Sequence, residues 1–186
     1  MRKKIIAGVS LFLAFVLFIV IIENKDKVKG TDGILKVAYK EIADDGVDKS
    51  DYSIVGSVTK YNDNTRRNEI LVWVMTENKV GIKNYYPLMF EVLENDRYSY
   101  INRAGTFRHE VQGVCSCRFG SGTNYTFMID NPDYKYINLY EFETRNLTQI
   151  EIDSIPFVYY ADMQLREYTY VTSDGKEVYS NGYEKK

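Results

Sequence analysis

The chain has 186 residues, with 24 Lys+Arg against 26 Asp+Glu, a formal charge of −2. That balance excludes the basic stripe of a nucleic-acid binder, and 17 Tyr and nine Phe beside only three Pro exclude a disordered chain and favour a folded, β-rich one. Two Cys and a single His exclude a disulfide scaffold and leave little for a transition-metal site.

Arg2, Lys3 and Lys4 precede an uncharged apolar run over residues 5–22, and Glu23-Asn24-Lys25-Asp26-Lys27 follows at once. Eighteen residues of helix, at about 1.5 Å each, reach about 27 Å, against a hydrocarbon core of about 30 Å. The run ends in bulky residues and then charge, without an A-x-A-like cleavage pattern and without a lipoprotein Cys. Residues 1–22 therefore read as a basic leader and an uncleaved transmembrane signal anchor rather than a removed peptide. The very short basic leader places the amino terminus inside and the rest of the chain on the extracytoplasmic side. Beyond the leader, 21 Lys+Arg face 26 Asp+Glu, about −5.

Residues 23–32 read as a charged linker that lifts the following domain off the bilayer. Asp32 is placed to cap a short helix over residues 33–45, with Ile34, Leu35, Ala38 and Ile42 on one face and Gly46 as its stop. From Tyr52 the period changes to that of strands. Residues 52–61 and 69–76 flank a polar turn and predict a hairpin, the second strand apolar enough to be central. Further strands are predicted over residues 86–93, 98–101, 107–119 and 125–129, the last two separated by Gly120-Ser121-Gly122-Thr123-Asn124. Asp130-Asn131-Pro132-Asp133 is a turn, followed by strands over 136–143, 147–152, 157–161, 167–171 and 177–180. The pattern predicts a mainly β, α+β fold with antiparallel sheets in a sandwich-like arrangement. It divides into a short helix plus β part over 33–123 and a carboxy-terminal β module over 124–186, the two being either separate or one continuous domain.

This layout resembles a loose group of uncharacterised, single-anchor, β-rich envelope proteins of Gram-positive bacteria. The likeness rests on the basic leader and anchor, on the short helix and hairpin with its Leu71-Val72-Trp73-Val74 strand, and on a module opening at Phe127-Met128-Ile129-Asp130-Asn131-Pro132-Asp133. The module continues through Tyr136-Ile137-Asn138-Leu139 and ends at Tyr170-Val171-Thr172-Ser173-Asp174-Gly175-Lys176-Glu177-Val178-Tyr179. The resemblance implies a helix-plus-sheet part followed by a sandwich-like module and brings no catalytic residues.

Chemistry-bearing residues are few. Cys115 and Cys117 share one face of a strand with α-carbons nearly 7 Å apart, beyond easy disulfide geometry unless the chain turns. They read as structural residues, with a redox-responsive pair and a soft-metal site as alternatives. His109 reads as a solvent-facing strand residue, and no motif supplies the orienting group or oxyanion hole that a Cys–His pair needs. Asp44, Asp45, Asp48 and Asp51 lack the spacing of an EF-hand calcium loop and read as a solvated helix end, with a weak calcium site as the alternative. No carboxylate pair stands out for glycoside hydrolysis. Asn124-Tyr125-Thr126 and Asn146-Leu147-Thr148 match the glycosylation sequon, which matters only in a eukaryotic secretory host. Tyrosines at i and i+2, such as Tyr98 with Tyr100 and Tyr168 with Tyr170, line single strand faces. They read chiefly as a half-buried core and alternatively as a rigid contact surface.

No catalytic, cofactor-binding or metal-ligating residue is assigned. The expected function is that of a membrane-anchored, extracytoplasmic, non-enzymatic binding module with a protein or cell-envelope partner and no nucleic acid. The alternatives are a tethered envelope hydrolase using unrecognised carboxylates, and an accessory or immunity-type subunit whose anchor packs in a membrane complex through Gly8 and Ser10.

Overall fold

The computed structural model describes residues 27–43, 48, 51–107, 113–120 and 123–185. The predicted anchor lies outside the described residues, and among those residues no helix is long and apolar enough to cross a membrane. Among the described residues the fold is mainly β, with antiparallel sheets and one helix.

The first sheet has five strands in the order β1-β5-β4-β3-β2, formed by β1 (Lys27–Lys29), β2 (Tyr52–Asn62), β3 (Arg67–Glu77), β4 (Lys83–Leu93) and β5 (Arg97–Arg103). A three-stranded middle sheet contains β6 (Val114–Arg118), β7 (Tyr125–Ile129) and β10 (Phe157–Ala161), in the order β10-β7-β6. The last sheet, β12-β11-β8-β9, comprises β8 (Tyr134–Glu141), β9 (Leu147–Glu151), β11 (Leu165–Thr172) and β12 (Glu177–Val178). The boundary at 123/124 thus falls between two paired strands of the middle sheet, in register from Val114↔Ile129 to Arg118↔Tyr125.

Strand alternation builds the layers. Val72, Val74, Tyr86, Leu88 and Phe90 face the helix α1 (Gly30–Ile42), which buries Ile34, Ala38 and Ile42 against them. Leu71, Trp73, Tyr85 and Met89 point the opposite way and meet Cys115, Cys117, Phe119 and Met128 of the middle-sheet region. The other face of the middle sheet, with Val114, Phe127 and Ile129, packs on Ile137, Leu139 and Tyr170 of the last sheet. The order is helix, first sheet, middle sheet, last sheet. A strand buried on both faces carries no polar alternation, which is why Phe127-Met128-Ile129 reads as a continuous apolar run.

Several expectations are corrected. Residues 27–32 are not linker: Lys27–Lys29 pair with β5, and Gly30, at φ 61°, turns the chain straight into α1. A left-handed backbone, which glycine adopts without strain, allows so abrupt a reversal, and a Cβ on Gly33 would stand 2.8 Å from Val28 Cβ, so α1 lies directly on β1. Asp32 sits in the first turn, and the N-cap is Lys29 with no side-chain cap bond. Of the long strand expected over 107–119, Val114–Arg118 forms β6 and Phe107 makes an isolated bridge to Tyr85, while residues 108–112 lie outside the described residues. The strand expected over 177–180 shortens to Glu177–Val178. His109, Asp44, Asp45 and Gly46 lie outside the described residues.

Candidate functional site

The seam between the first and middle sheets differs at its two ends. Along its length the layers touch closely: a Cβ on Gly56 of β2 would lie 2.4 Å from Val158 Cγ2 of β10. At the end where β4 begins, Asp130, just past β7, accepts from Lys83 Nζ at 2.7 Å and from Tyr85 OH at 2.9 Å. This charge-assisted pair closes the seam. At the other end the apolar rows stop. Val58 and Leu71 give way along their strands to Lys60 and Glu69, which are partners in register, and the layers part into a groove of about 290 Å³.

One wall of the groove is the β2–β3 turn, with Lys60, Asn62, Asp63 and Asn64; the facing wall is Phe119, Thr123, Asn124 and Tyr160. Each wall is braced before any ligand arrives. Asn62 Oδ1 accepts from the backbone N–H groups of Asn64 at 3.0 Å and Thr65 at 3.4 Å, an Asx turn, and its Nδ2 donates to Glu69 Oε2 at 3.0 Å. Thr65 Oγ1 donates to the second oxygen, Glu69 Oε1, at 2.9 Å. Glu69, only 4% exposed, is therefore a satisfied brace behind the turn. Gly120, at φ 57°, packs over it: a Cβ there would stand 3.1 Å from Glu69 Oε2.

On the facing wall Asn124 Nδ2 donates to Tyr160 OH at 2.8 Å and to Asp162 Oδ1 at 3.4 Å. Phe119 meets the Tyr160 ring edge-on at 5.5 Å, and Lys60 Nζ reaches across the groove to 4.5 Å from the centroid of the Tyr160 ring. Tyr61 stands at the rim, 57% exposed. The groove thus offers aromatic surface, carboxamides, hydroxyls, one ammonium and one carboxylate, without a dominant charge.

The residues singled out in the sequence fall elsewhere. Cys115 and Cys117 are free thiols buried between the first and middle sheets, where burial pushes the Cys117 thiol up to about 12. That is the setting of an inert core thiol, not of a nucleophile. Among the described residues no group of three His, Cys, Asp or Glu is placed to hold a metal. The tyrosine pairs are chiefly core: Tyr98 and Tyr100 meet Phe90 beneath the helix, and Tyr168 and Tyr170 pack between the middle and last sheets. The Asn124 sequon amide is engaged in the groove wall.

A second polar cluster lies on the last sheet. Lys185 Nζ stands 3.2 Å from Glu167 Oε2 and 3.4 Å from Glu177 Oε1, over the Tyr140 ring at 3.7 Å from its centroid. Glu177 also accepts from Tyr140 OH at 2.7 Å and from Thr169 Oγ1, and Tyr179 OH donates to Glu167 at 2.9 Å. Burial pushes the Glu177 carboxyl up, but the Thr169, Tyr140 and Asn138 hydrogen bonds and Lys185 more than offset it and leave it at about 2. The Tyr179 hydrogen bond, with help from Lys185, holds Glu167 below its usual range. Both carboxylates are spoken for, and the cluster clasps the chain's last described residues to the sheet, where Lys185 N–H donates to Glu177 O at 2.8 Å.

Neither the groove residues nor their pairing was legible as a site. The β2–β3 turn and the 120–124 loop both read as connections, and only the docking of β10 over β2 makes them opposite walls. Compared with known proteins, the chain matches no family model, no curated protein and no solved structure.

Proposed function

We propose that the protein is a membrane-anchored, extracytoplasmic binding module of the cell envelope, and that the groove takes a polyhydroxylated, amide-bearing ligand, a glycan. The observation that carries this is the open end of the seam. Its walls come from two different sheets, are already held by their own hydrogen bonds, and face each other across an unfilled polar space. Carboxamides and hydroxyls match the paired donors and acceptors of sugar hydroxyls, and the rings of Phe119 and Tyr160 suit the apolar face of a pyranose. Lys60 and Asp63 offset each other, so the lining does not favour phosphate. The apolar run over 5–22 and the likeness to single-anchor envelope proteins support the location.

Binding fits better than hydrolysis. Acid–base cleavage by two carboxyl groups needs one held protonated near neutral pH. Glu167 and Glu177 are both held low and bridged by Lys185, and Glu69 spends both oxygens on Asn62 and Thr65.

The test is a titration of the full chain in lipid nanodiscs with a soluble N-acetylglucosamine oligosaccharide. Saturable binding, weakened about tenfold by Tyr160→Phe, a change of about 1.4 kcal/mol, is the expected result; no saturable binding sinks the glycan assignment. Protease shaving of intact cells carrying a tag after Lys186 tests the location. Loss of the tag is expected, and a protected tag contradicts an extracytoplasmic domain.

A further inference from the structure

We propose that the β1–β5 edge of the first sheet is a membrane-contact surface that rests on anionic phospholipid headgroups. The inference rests on the anchor assigned above and adds a specific orientation to it. Only Glu23, Asn24, Lys25 and Asp26 separate the apolar run from Lys27, the first residue of β1. The five Cα–Cα steps from residue 22 to Lys27 extend to about 18 Å at most. The last sheet is two layers from the first, about 20 Å at ordinary sheet spacing. A tether that short keeps β1, and not the far layer, beside the bilayer.

The chemistry of the edge fits that position. Val28 packs into the helix-side core, so Lys27 and Lys29 point to the opposite face. Tyr98 and Tyr100 face the helix as well, which places Arg97 and Ser99 on the same face as the two lysines. Lys27 lies opposite Ser99, and Lys29 lies directly opposite Arg97. Like charges facing each other across a ladder are destabilising, and here both side chains stand exposed at the edge of the sheet. Arg97 Nε donates to the Glu94 backbone carbonyl at 3.2 Å, a contact that neutralises no charge. Across the ladder, Glu91, opposite Ser99, is held by Arg67 at 3.0 Å, and Asp96, beside Arg97, accepts from Tyr98 OH at 2.9 Å. An anionic surface would relieve the Lys29–Arg97 repulsion and gather all three cations at once.

The experiment uses the full chain in vesicles, with a fluorophore on Ser99→Cys or, for comparison, on Asp174→Cys in the exposed turn of the last sheet. Both native thiols are buried, the setting of an inert thiol. Quenching is read against nitroxide-headgroup lipid in phosphatidylglycerol and in phosphatidylcholine vesicles. The expected result is several-fold stronger quenching at position 99 than at 174 in phosphatidylglycerol. It should fall several-fold in the Lys27→Gln, Lys29→Gln, Arg97→Gln variant and in high salt. Equal quenching at the two positions, in a chain that resists alkaline carbonate extraction, overturns the docking while the anchor stands. Quenching at 99 that ignores both lipid charge and the triple variant overturns the headgroup assignment. Release of the chain by carbonate overturns the anchor, and the docking with it.

Discussion

The two ends of the seam between the first and middle sheets use similar side chains to opposite effect. Where β4 begins, Lys83, Tyr85 and Asp130 meet directly, and the layers close. At the β2–β3 turn, Lys60, Tyr160 and Asn124 are also within reach of one another, but each wall is satisfied mainly within itself and the layers stay apart. A lysine, a tyrosine and an acid or amide make a strut when they bond across a seam. They make a site when their supporting bonds run sideways and leave the gap between them unfilled.

The seam itself is most vulnerable at its middle. Gly56→Val would drive a side chain into Val158, whose branched stem cannot swing away; a loss of about 3 kcal/mol is expected by urea unfolding. Because the groove exists only where β10 lies over β2, ligand binding should disappear with it. Asp130→Ala tests the closed end alone. It leaves Lys83 and Tyr85 facing a vacated position, with an expected cost of about 2 kcal/mol and unchanged oligosaccharide affinity. A loss of affinity equal to that of a groove variant would mean the two ends are not independent.

Acid gives a control away from the seam. Glu177, at about 2, and Glu167, also lowered, have folded-state values below the ordinary 4.5. Depressed carboxylates stabilise the fold at pH values above their unfolded value, and that contribution is lost as pH falls toward the folded one. The clasp around Lys185 should therefore loosen between about pH 4.5 and about pH 2, seen as faster amide exchange over residues 177–185, and should not change between pH 6 and 8. The smallest stability effect belongs to the groove itself. Asn64→Ala, on an exposed turn whose Asx bonds come from Asn62, should change stability by less than about 0.5 kcal/mol while weakening oligosaccharide binding severalfold in the same titration.

The elements of the fold were largely legible in the sequence because their signals are local. The Trp73 strand, the Asp130–Asp133 turn and the 157–161 strand announce themselves by period and by turn residues, and the structure places strands at Arg67–Glu77 and Phe157–Ala161. The amino-terminal edge was misread because Lys27-Val28-Lys29 is too short and too charged to look like a strand; it is one only because β5 pairs with it and Gly33 packs on Val28. The groove was invisible for a stronger reason. Lys60 and Tyr160 are 100 positions apart, and nothing near either residue encodes the stacking of β10 on β2. Glu69 reads locally as a surface charge at the start of a strand, and only the Asn62 turn and Gly120 show that it is buried.

The most direct test of the groove is amide hydrogen exchange of the full chain in nanodiscs, with and without the N-acetylglucosamine oligosaccharide. Ligand-induced protection is expected in peptides covering residues 60–64 and 123–125, with the segments around Asp130 and Glu177 unchanged. Protection at the clasp or at the closed end, with none at the β2–β3 turn, would contradict binding in the groove.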